Sequence, residues 1–470
     1  MADPTVDVSR FVDEQKVGAF HVKLLILSFF IALFDGYDIG AAAFAAPSWI
    51  KAWGLASRAA LAPVLAASLV GILFGAPILG FVGDLFGRKK AIIASCLIFG
   101  GFTLIGAWAN SLEAMWYLRF LAGIGIGGLL PNLIALNAEF APRRFRATMI
   151  ILMFTGITFG GSVPGAAAAW LVPHYGWPIL FVIGGVAPIA MALVAFFALP
   201  ESIKYLTVQR RWPQVARMLA AMQPGVALPP PYPPPQAGEG KGGGFVLADE
   251  RHATRFSPKL LFSDGLGAIT PLLWLLFVLN LMGFYFLASW NPTLLASANV
   301  SEGMAAIATA LFQIGGTIGG LTLSRPIDRK GFLPVTILFA LAVPVIASVG
   351  YVGKLSPVLL MLVLLLGGFC VLGLQFGLNA ASAMIYPTAV RSNGSGWAFG
   401  IGRFGSVAGP YVGGYLIAQR VPIEQLYVLA AIPFAFGAGV CFVLTRLYHT
   451  RFKGYGLGQR EMLDQPAAAE

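Results

Sequence analysis

The stretch LLILSFFIALFDGYDIGAAAFAA, Leu24 to Ala46, is apolar enough to cross a bilayer, yet it carries two aspartates, Asp35 and Asp38. A helix rising about 1.5 Å per residue crosses the hydrocarbon core, roughly 30 Å thick, within such a run. An aspartate near the centre of a spanning helix costs about 2.5–3.5 kcal/mol, so the pair opposes insertion by roughly 5–7 kcal/mol. Packing alone does not require such a cost, and acids at this depth are by default functional. Their i, i+3 spacing sets both carboxylates on one helix face, which must look into protein or a water-filled cavity.

The rest of the chain repeats the apolar theme. Its 470 residues are 58% apolar and only 11% charged, with a mean hydropathy of +0.79. A soluble protein of this length could not hide that much apolar surface. Apolar runs of spanning length fall at 22–46, 61–82, 91–109, 114–137, 149–172, 178–198, 270–292, 303–323, 332–351, 357–384, 393–418 and 423–446. The expected fold class is therefore an all-α membrane protein whose twelve transmembrane helices form two pseudo-symmetric six-helix bundles.

Lys and Arg orient it. Of the 31 basic residues, Lys51, Arg58, Lys354 and Arg420 fall on one side and Arg119 and Arg403 within spans; all others fall on the side of the N-terminus. By the positive-inside bias both termini are cytoplasmic, in the cell's inner (plasma) membrane. The net charge of +11 then reports topology, and no nucleic-acid partner is expected. The first 21 residues are polar, include Asp3, Asp7, Asp13 and Glu14, and contain no cleavable signal, so span one is its own insertion signal. Cys96, Cys370 and Cys441 are far apart and within spans, which indicates neither a disulfide framework nor a metal site. No cofactor is expected, the bilayer is the only large partner, and the working unit is expected to be a monomer.

Residues 1–21 form a cytoplasmic N-terminal segment, 22–198 and 270–447 the two bundles, 199–269 a cytoplasmic linker and 448–470 a cytoplasmic tail. Within the linker, Pro229–Gly244 (PPPYPPPQAGEGKGGG) is a low-complexity stretch that cannot pack a core and reads as a tolerated insertion. The halves repeat. Gly156, Gly161, Ser162, Val163 and Gly165 recur as Gly400, Gly405, Ser406, Val407 and Gly409, at a constant offset of 244, as do Asp84 and Asp328. Pro142-x3-Arg146 matches Pro387-x3-Arg391 at 245. Two six-helix repeats with a ligand handled between them are a transporter plan.

After span two the chain reads Gly80-Phe-Val-Gly-Asp84-Leu-Phe-Gly87-Arg88-Lys89-Lys90. Its glycines permit a tight turn, and Asp84 can cap a helix N-terminus or pair with a base. This loop resembles the signature of the major facilitator superfamily. The second copy, Ser324-Arg325-Pro326-Ile327-Asp328-Arg329-Lys330-Gly331, keeps the acid and the later glycine but lacks the first glycine and the basic pair.

Over essentially its whole length the chain further resembles the aromatic acid:proton symporter family. The residues that carry the resemblance are Asp35-Gly-Tyr-Asp38, Arg119-Phe-Leu-Ala-Gly-Ile-Gly-Ile-Gly-Gly, Glu139-Phe-Ala-Pro-Arg143-Arg144, Leu199-Pro-Glu-Ser202, Ser289-Trp290-Asn-Pro292-Thr, Tyr386-Pro-Thr-Ala-Val-Arg391 and Gly402-Arg403-x-Gly405. Asn291 stands where that family more often has an apolar residue. The resemblance implies import of benzoate-, hydroxybenzoate- or phenylpropanoid-type acids with protons.

Depth arithmetic tests which charges can meet. Asp35 and Asp38 lie about 20 and 24 Å from the cytoplasmic start of span one, and Arg119, in the oppositely directed span four, about 22 Å from the same face. Arg119 is therefore expected beside the aspartate pair, keeping one acid poised to titrate; a static ion pair joining spans one and four is the rival. An entering proton would meet Asp38 first, which makes Asp38 the expected carrier and Asp35 the residue that senses its charge. Arg403 falls near the midplane, where a guanidinium needs an anion, and no acid of its own half lies at that depth. The substrate carboxylate is the expected partner, with Asp35 or Asp38 across the halves as the alternative.

Tyr285 and Trp290 have polar tips suited to a wet cavity, and Gln375 and Asn379, with Gln313 or Asn132, could bind ring hydroxyls. Glu139 is expected to pair with Arg88 or Arg143 in an inner gate with Asp84, Asp328 and Arg391. His21, His174, His252 and His449 fall near span ends or in loops and are poor proton relays.

The function expected is a proton-coupled secondary transporter importing a small aromatic carboxylate by alternating access. An aliphatic carboxylate or a sugar acid is the alternative cargo. A polytopic membrane enzyme is disfavoured because the chain has no His-Glu-x-x-His, no Gly-x-Ser-x-Gly and no clustered His or Cys.

Overall fold

The computed structural model describes residues 6–142, 144–223, 245–246, 258–263, 265–297, 301–330, 332–353, 355–386 and 391–451. A short strand, β1 (Val6–Asp7), and helix α1 (Val8–Glu14) precede the first bundle of long helices. These are α2 (Ala19–Ala52), α3 (Ala62–Phe86), α4 (Arg88–Gly106), α5 (Leu112–Phe140), α6 (Arg146–Tyr175) and α7 (Pro178–Ala198). Two short helices, α8 (Ile203–Val208) and α9 (Trp212–Met222), and strand β2 (Phe245–Val246) follow. The second bundle comprises α10 (Ile269–Ser297), α11 (Glu302–Lys330), α12 (Leu333–Val352), α13 (Pro357–Ile385), α14 (Arg391–Ala418) and α15 (Ile423–Arg451).

Among the described residues, 11 helices are long and apolar enough to cross a membrane on composition alone. The twelfth expected span is α14, 28 residues long, whose Arg403 and run of glycines and serines keep it below that mark. Its shortfall has a physical reason: one of its faces lines a cavity between the halves, where Arg403 need not meet lipid.

Local chemistry sets the helix ends. Gly87 takes a φ of +107° between α3 and α4, a conformation open to glycine but strained for other residues. Ser111 accepts from the backbone N–H of Ala114 to cap α5, and Ser202 from that of Tyr205 to cap α8. Each bundle then packs its helices through small residues. A Cβ on Gly36 of α2 would strike the backbone carbonyl of Ile157 in α6, and one on Gly160 of α6 would strike that of Leu33 in α2. The pair α10 and α14 repeats this: a Cβ on Gly405 would strike the carbonyl of Val278. Each half thus has one glycine-mediated close approach of two helices, although the repeated glycines themselves face different neighbours: Gly161 meets Gln313 of α11, whereas its counterpart Gly405 meets Val278 of α10.

The halves meet along α6 and α11, α2 and α10, and α3 and α14. Thr158 and Thr317 hydrogen-bond across the seam at 2.7 Å. Farther from the α1 end, Gly165 faces Ala306 and Ala310, and Gly414 faces Ala62. Contact between the halves therefore runs from mid-bundle to the end opposite α1. At the α1 end a polar cavity opens among α1, α3, α4, α5, α6 and α8.

At that end the N-terminal segment is pinned to the first bundle. Val8 and Val12 are buried with Val215, Leu219 and Phe245. Asp13 pairs with Arg146 at 3.2 Å, Arg144 donates to the carbonyl of Gln15, and Gln15 donates to Gln223. β1 pairs in parallel with β2, Val6 opposite Phe245.

Candidate functional site

The two aspartates of α2 have separate surroundings. Asp38 is fully buried, and both of its carboxylate oxygens accept from Nη1 of Arg119 (α5), at 2.8 Å each. The same nitrogen reaches the backbone carbonyl of Asp38 at 3.2 Å. Thr103 of α4 donates to Asp38 at 3.3 Å, and Arg119 Nη2 donates to Ser68 of α3 at 2.8 Å. Four helices of one half thus close around a single ion pair. Ser68 and Thr103 carried no sequence signal beyond being hydroxyls in apolar runs.

Asp35 is equally buried but lines a cavity between the halves. Arg403 of α14 lines the same cavity, and its charge acts directly on Asp35. Arg403 Nη1 donates to the phenol oxygen of Tyr285 (α10) at 3.3 Å, and its guanidinium lies 4.6 Å from the ring centre of Phe399, one helical turn earlier. Phe154, Phe284, Phe376 and Phe399 supply flat apolar walls. Gln313, Gln375 and Asn379 supply amides, so a few polar groups converge in a mostly apolar chamber.

Arg119 therefore neighbours one member of the aspartate pair, and Arg403 faces the other across the halves. The ordering that made Asp38 the proton carrier does not fit this geometry: Asp38 is shut off from the cavity and already holds a cation, while Asp35 faces the open volume. Trp290 does not line the cavity either. Its indole N–H donates to the carbonyl of Pro410 at 3.0 Å, and its ring packs over Gly413 as a joint between α10 and α14. Asn132 lies elsewhere, accepting from Arg88 at 3.1 Å and donating to the carbonyls of Leu79 and Gly128. Asn291 is buried and accepts from Tyr427 at 3.0 Å, away from the chamber.

Three of the residues expected to gate, Asp84, Arg88 and Glu139, lie together at the α1 end. Arg88 pairs with Asp84 one turn before it, and both line the polar cavity with Glu139. Glu139 accepts from the Ser202 hydroxyl, and the charges of Arg88 and Lys204 act on it. The cap on the α4 N-terminus comes from Glu201, which accepts from the backbone N–H of Lys89 at 3.0 Å, while Asp84 takes the base. Gly87 leaves room for that carboxylate; a Cβ there would collide with it. Arg143, the side chains of Asp328 and Arg391, and the 229–244 stretch lie outside the described residues.

Comparison with known proteins agrees with this plan. The family model for the Major Facilitator Superfamily matches residues 28–342 and 273–466. A gallate transporter of Pseudomonas putida is 34% identical over 443 residues, covering 94% of this chain and 95% of that protein. A 4-hydroxybenzoate transporter of Acinetobacter baylyi is 34% identical over 454 residues, covering 95% of this chain and 96% of that protein. Among solved structures, the xylose transporter of E. coli in an inward open conformation superposes with a TM-score of 0.69 at 13% identity, over 94% of this chain and 99% of that one.

Proposed function

The chain belongs to the major facilitator superfamily and, within it, to the aromatic acid carriers, and from that membership we propose that it imports a small aromatic carboxylate together with protons by alternating access. It is a multi-pass membrane transporter, not an enzyme. The observation that carries the reading is the chamber between the halves, with Asp35 on one wall, Arg403 and Tyr285 on the other, and phenyl rings between.

Each part has a chemical role. A benzoate-, hydroxybenzoate- or phenylpropanoid-type anion docks its carboxylate on Arg403, whose planar fork suits a carboxylate, with the Tyr285 hydroxyl beside it. The phenyl walls stack on its ring, and Gln375 and Asn379 meet its substituents. Before it arrives, Arg403 offsets the charge of Asp35. The arriving anion claims that field and adds a second negative charge near Asp35, which a proton on Asp35 relieves. Anion and proton are thereby loaded together, and only the loaded, neutralised cavity is free to turn over. Asp38 and Arg119 stay paired throughout and hold the wall on which Asp35 is mounted.

Asp84, Arg88 and Glu139, with Asp328, the counterpart of Asp84 by repeat, and Arg391, that of Arg146, gate the cytoplasmic end. The strong Lys and Arg bias supports both termini in the cytoplasm and residence in the inner (plasma) membrane. One copy contains the whole chamber, which supports a monomeric carrier.

Uptake of labelled 4-hydroxybenzoate into proteoliposomes should require an inward proton gradient. Asp35→Asn should abolish gradient-driven accumulation yet retain exchange of internal for external substrate. Accumulation at the wild-type level by Asp35→Asn would overturn the coupling role.

A further inference from the structure

Behind the chamber wall three amides are joined in a row, and only two of them touch the cavity. Asn280, at the middle of α10, is fully buried and donates to the Gln375 carbonyl oxygen at 3.0 Å. Gln375 donates in turn to the Asn379 carbonyl oxygen at 3.2 Å. Gln375 and Asn379 line the cavity; Asn280 does not. The Asn280 carbonyl oxygen has no hydrogen-bond partner among the described residues. A buried amide so incompletely satisfied within a membrane helix is costly, and such groups call for an explanation.

The row has a direction. A primary amide offers one carbonyl acceptor and one NH2 donor group. With its carbonyl turned to Asn280, Gln375 faces Asn379 with its NH2. The Asn379 carbonyl is in turn directed at Gln375, which leaves its NH2 as the group turned to the cavity. Asn280 therefore fixes the polarity of a site two residues away that it never touches.

We propose that Asn280 is a positioning residue that makes the Gln375–Asn379 edge of the chamber a hydrogen-bond donor, so that this carrier selects aromatic acids whose ring bears an oxygen acceptor. The inference rests on the aromatic-acid reading above and deepens it. Its chemical content is specific. A hydroxyl and a methoxy oxygen both accept a hydrogen bond, whereas a ring hydrogen or a methyl group leaves the Asn379 NH2 without a partner. Sites built to hydrogen-bond a substituent discriminate strongly against analogues that lack it.

The test is a competition panel in proteoliposomes using benzoate, the three methylbenzoates, the three hydroxybenzoates and their methoxy ethers. In the wild type the best hydroxy and methoxy isomers should share a position on the ring and bind about tenfold more tightly than the matching methylbenzoate. Asn280→Leu frees the amides to rotate, and the ratio of methylbenzoate to methoxybenzoate KM should fall toward one. Asn280→Asp presents an acceptor to Gln375 and reverses the row, so hydroxybenzoate should be kept and its methoxy ether lost. A wild type that treats methoxybenzoate no better than methylbenzoate overturns the donor polarity, whether or not either variant folds. A variant that weakens every acid by the same factor overturns the positioning role, since that is what a merely structural asparagine would do. A wild type that transports none of these acids instead overturns the aromatic-acid reading itself.

Discussion

Asp38 has its charge met inside one half, by an arginine and two neighbouring helices, whereas Asp35, a turn away on the same helix, looks across the seam toward an arginine of the other half. Both are buried to the same degree, 0% and 3% exposed, so burial does not distinguish them. What separates them is which rigid body supplies the countercharge. A countercharge in the same half moves with the acid and is constant through any rocking of the two bundles. One in the other half changes with every such movement. The first arrangement is suited to holding a structure together and the second to sensing a state.

That contrast can be broken by substitution. Asp38→Asn should be a folding defect, because it strands Arg119 as a buried unpaired cation at a cost of about 3–5 kcal/mol. Thermal unfolding in detergent reads this, and the double change Asp38→Asn with Arg119→Gln should recover most of the loss. Asp35→Asn should leave thermal stability near wild type while removing uphill accumulation, measured as the ratio of internal to external substrate. Arg403→Lys keeps the charge but loses the planar fork, and a weakening of substrate binding by about 1.5–3 kcal/mol is expected from calorimetric titration. Trp290→Phe removes the bond to Pro410 and part of the buried ring packed over Gly413, and should cost about 2–3 kcal/mol of stability with little change in substrate KM. If Trp290→Phe instead raised KM tenfold at unchanged stability, its exclusion from the chamber would be wrong.

Much of this was legible beforehand, for identifiable reasons. Span number, the repeat and the anomaly of acids in a membrane helix all depend on one-dimensional properties: length, offset and hydropathy. Depth is also one-dimensional, and it brought Arg119 level with the aspartates. Azimuth is not. Three residues along a helix differ by about 60° in direction, enough for Asp38 to enter the core of one half while Asp35 faces the seam. Five residues turn the chain about 140°, which carries Trp290 away from the face that Tyr285 presents to the cavity. Asn280 left a trace, as an amide in the apolar run of α10, but its meaning needed Gln375 on a distant helix. Phe399, four residues before Arg403, carried the i, i+4 spacing that brings a ring beneath a guanidinium.

The parallel pairing of Val6 with Phe245 also changes how the long interval between the bundles is to be counted. Gln223 is tied to Gln15, and Phe245 to β1, so residues 224–244 begin and end on the same bundle. The joint between the bundles is therefore counted from Val246 to Ile269. The number of residues between Gln223 and Phe245 is thus free to vary without altering the span over which the two bundles must stay tethered as they rock.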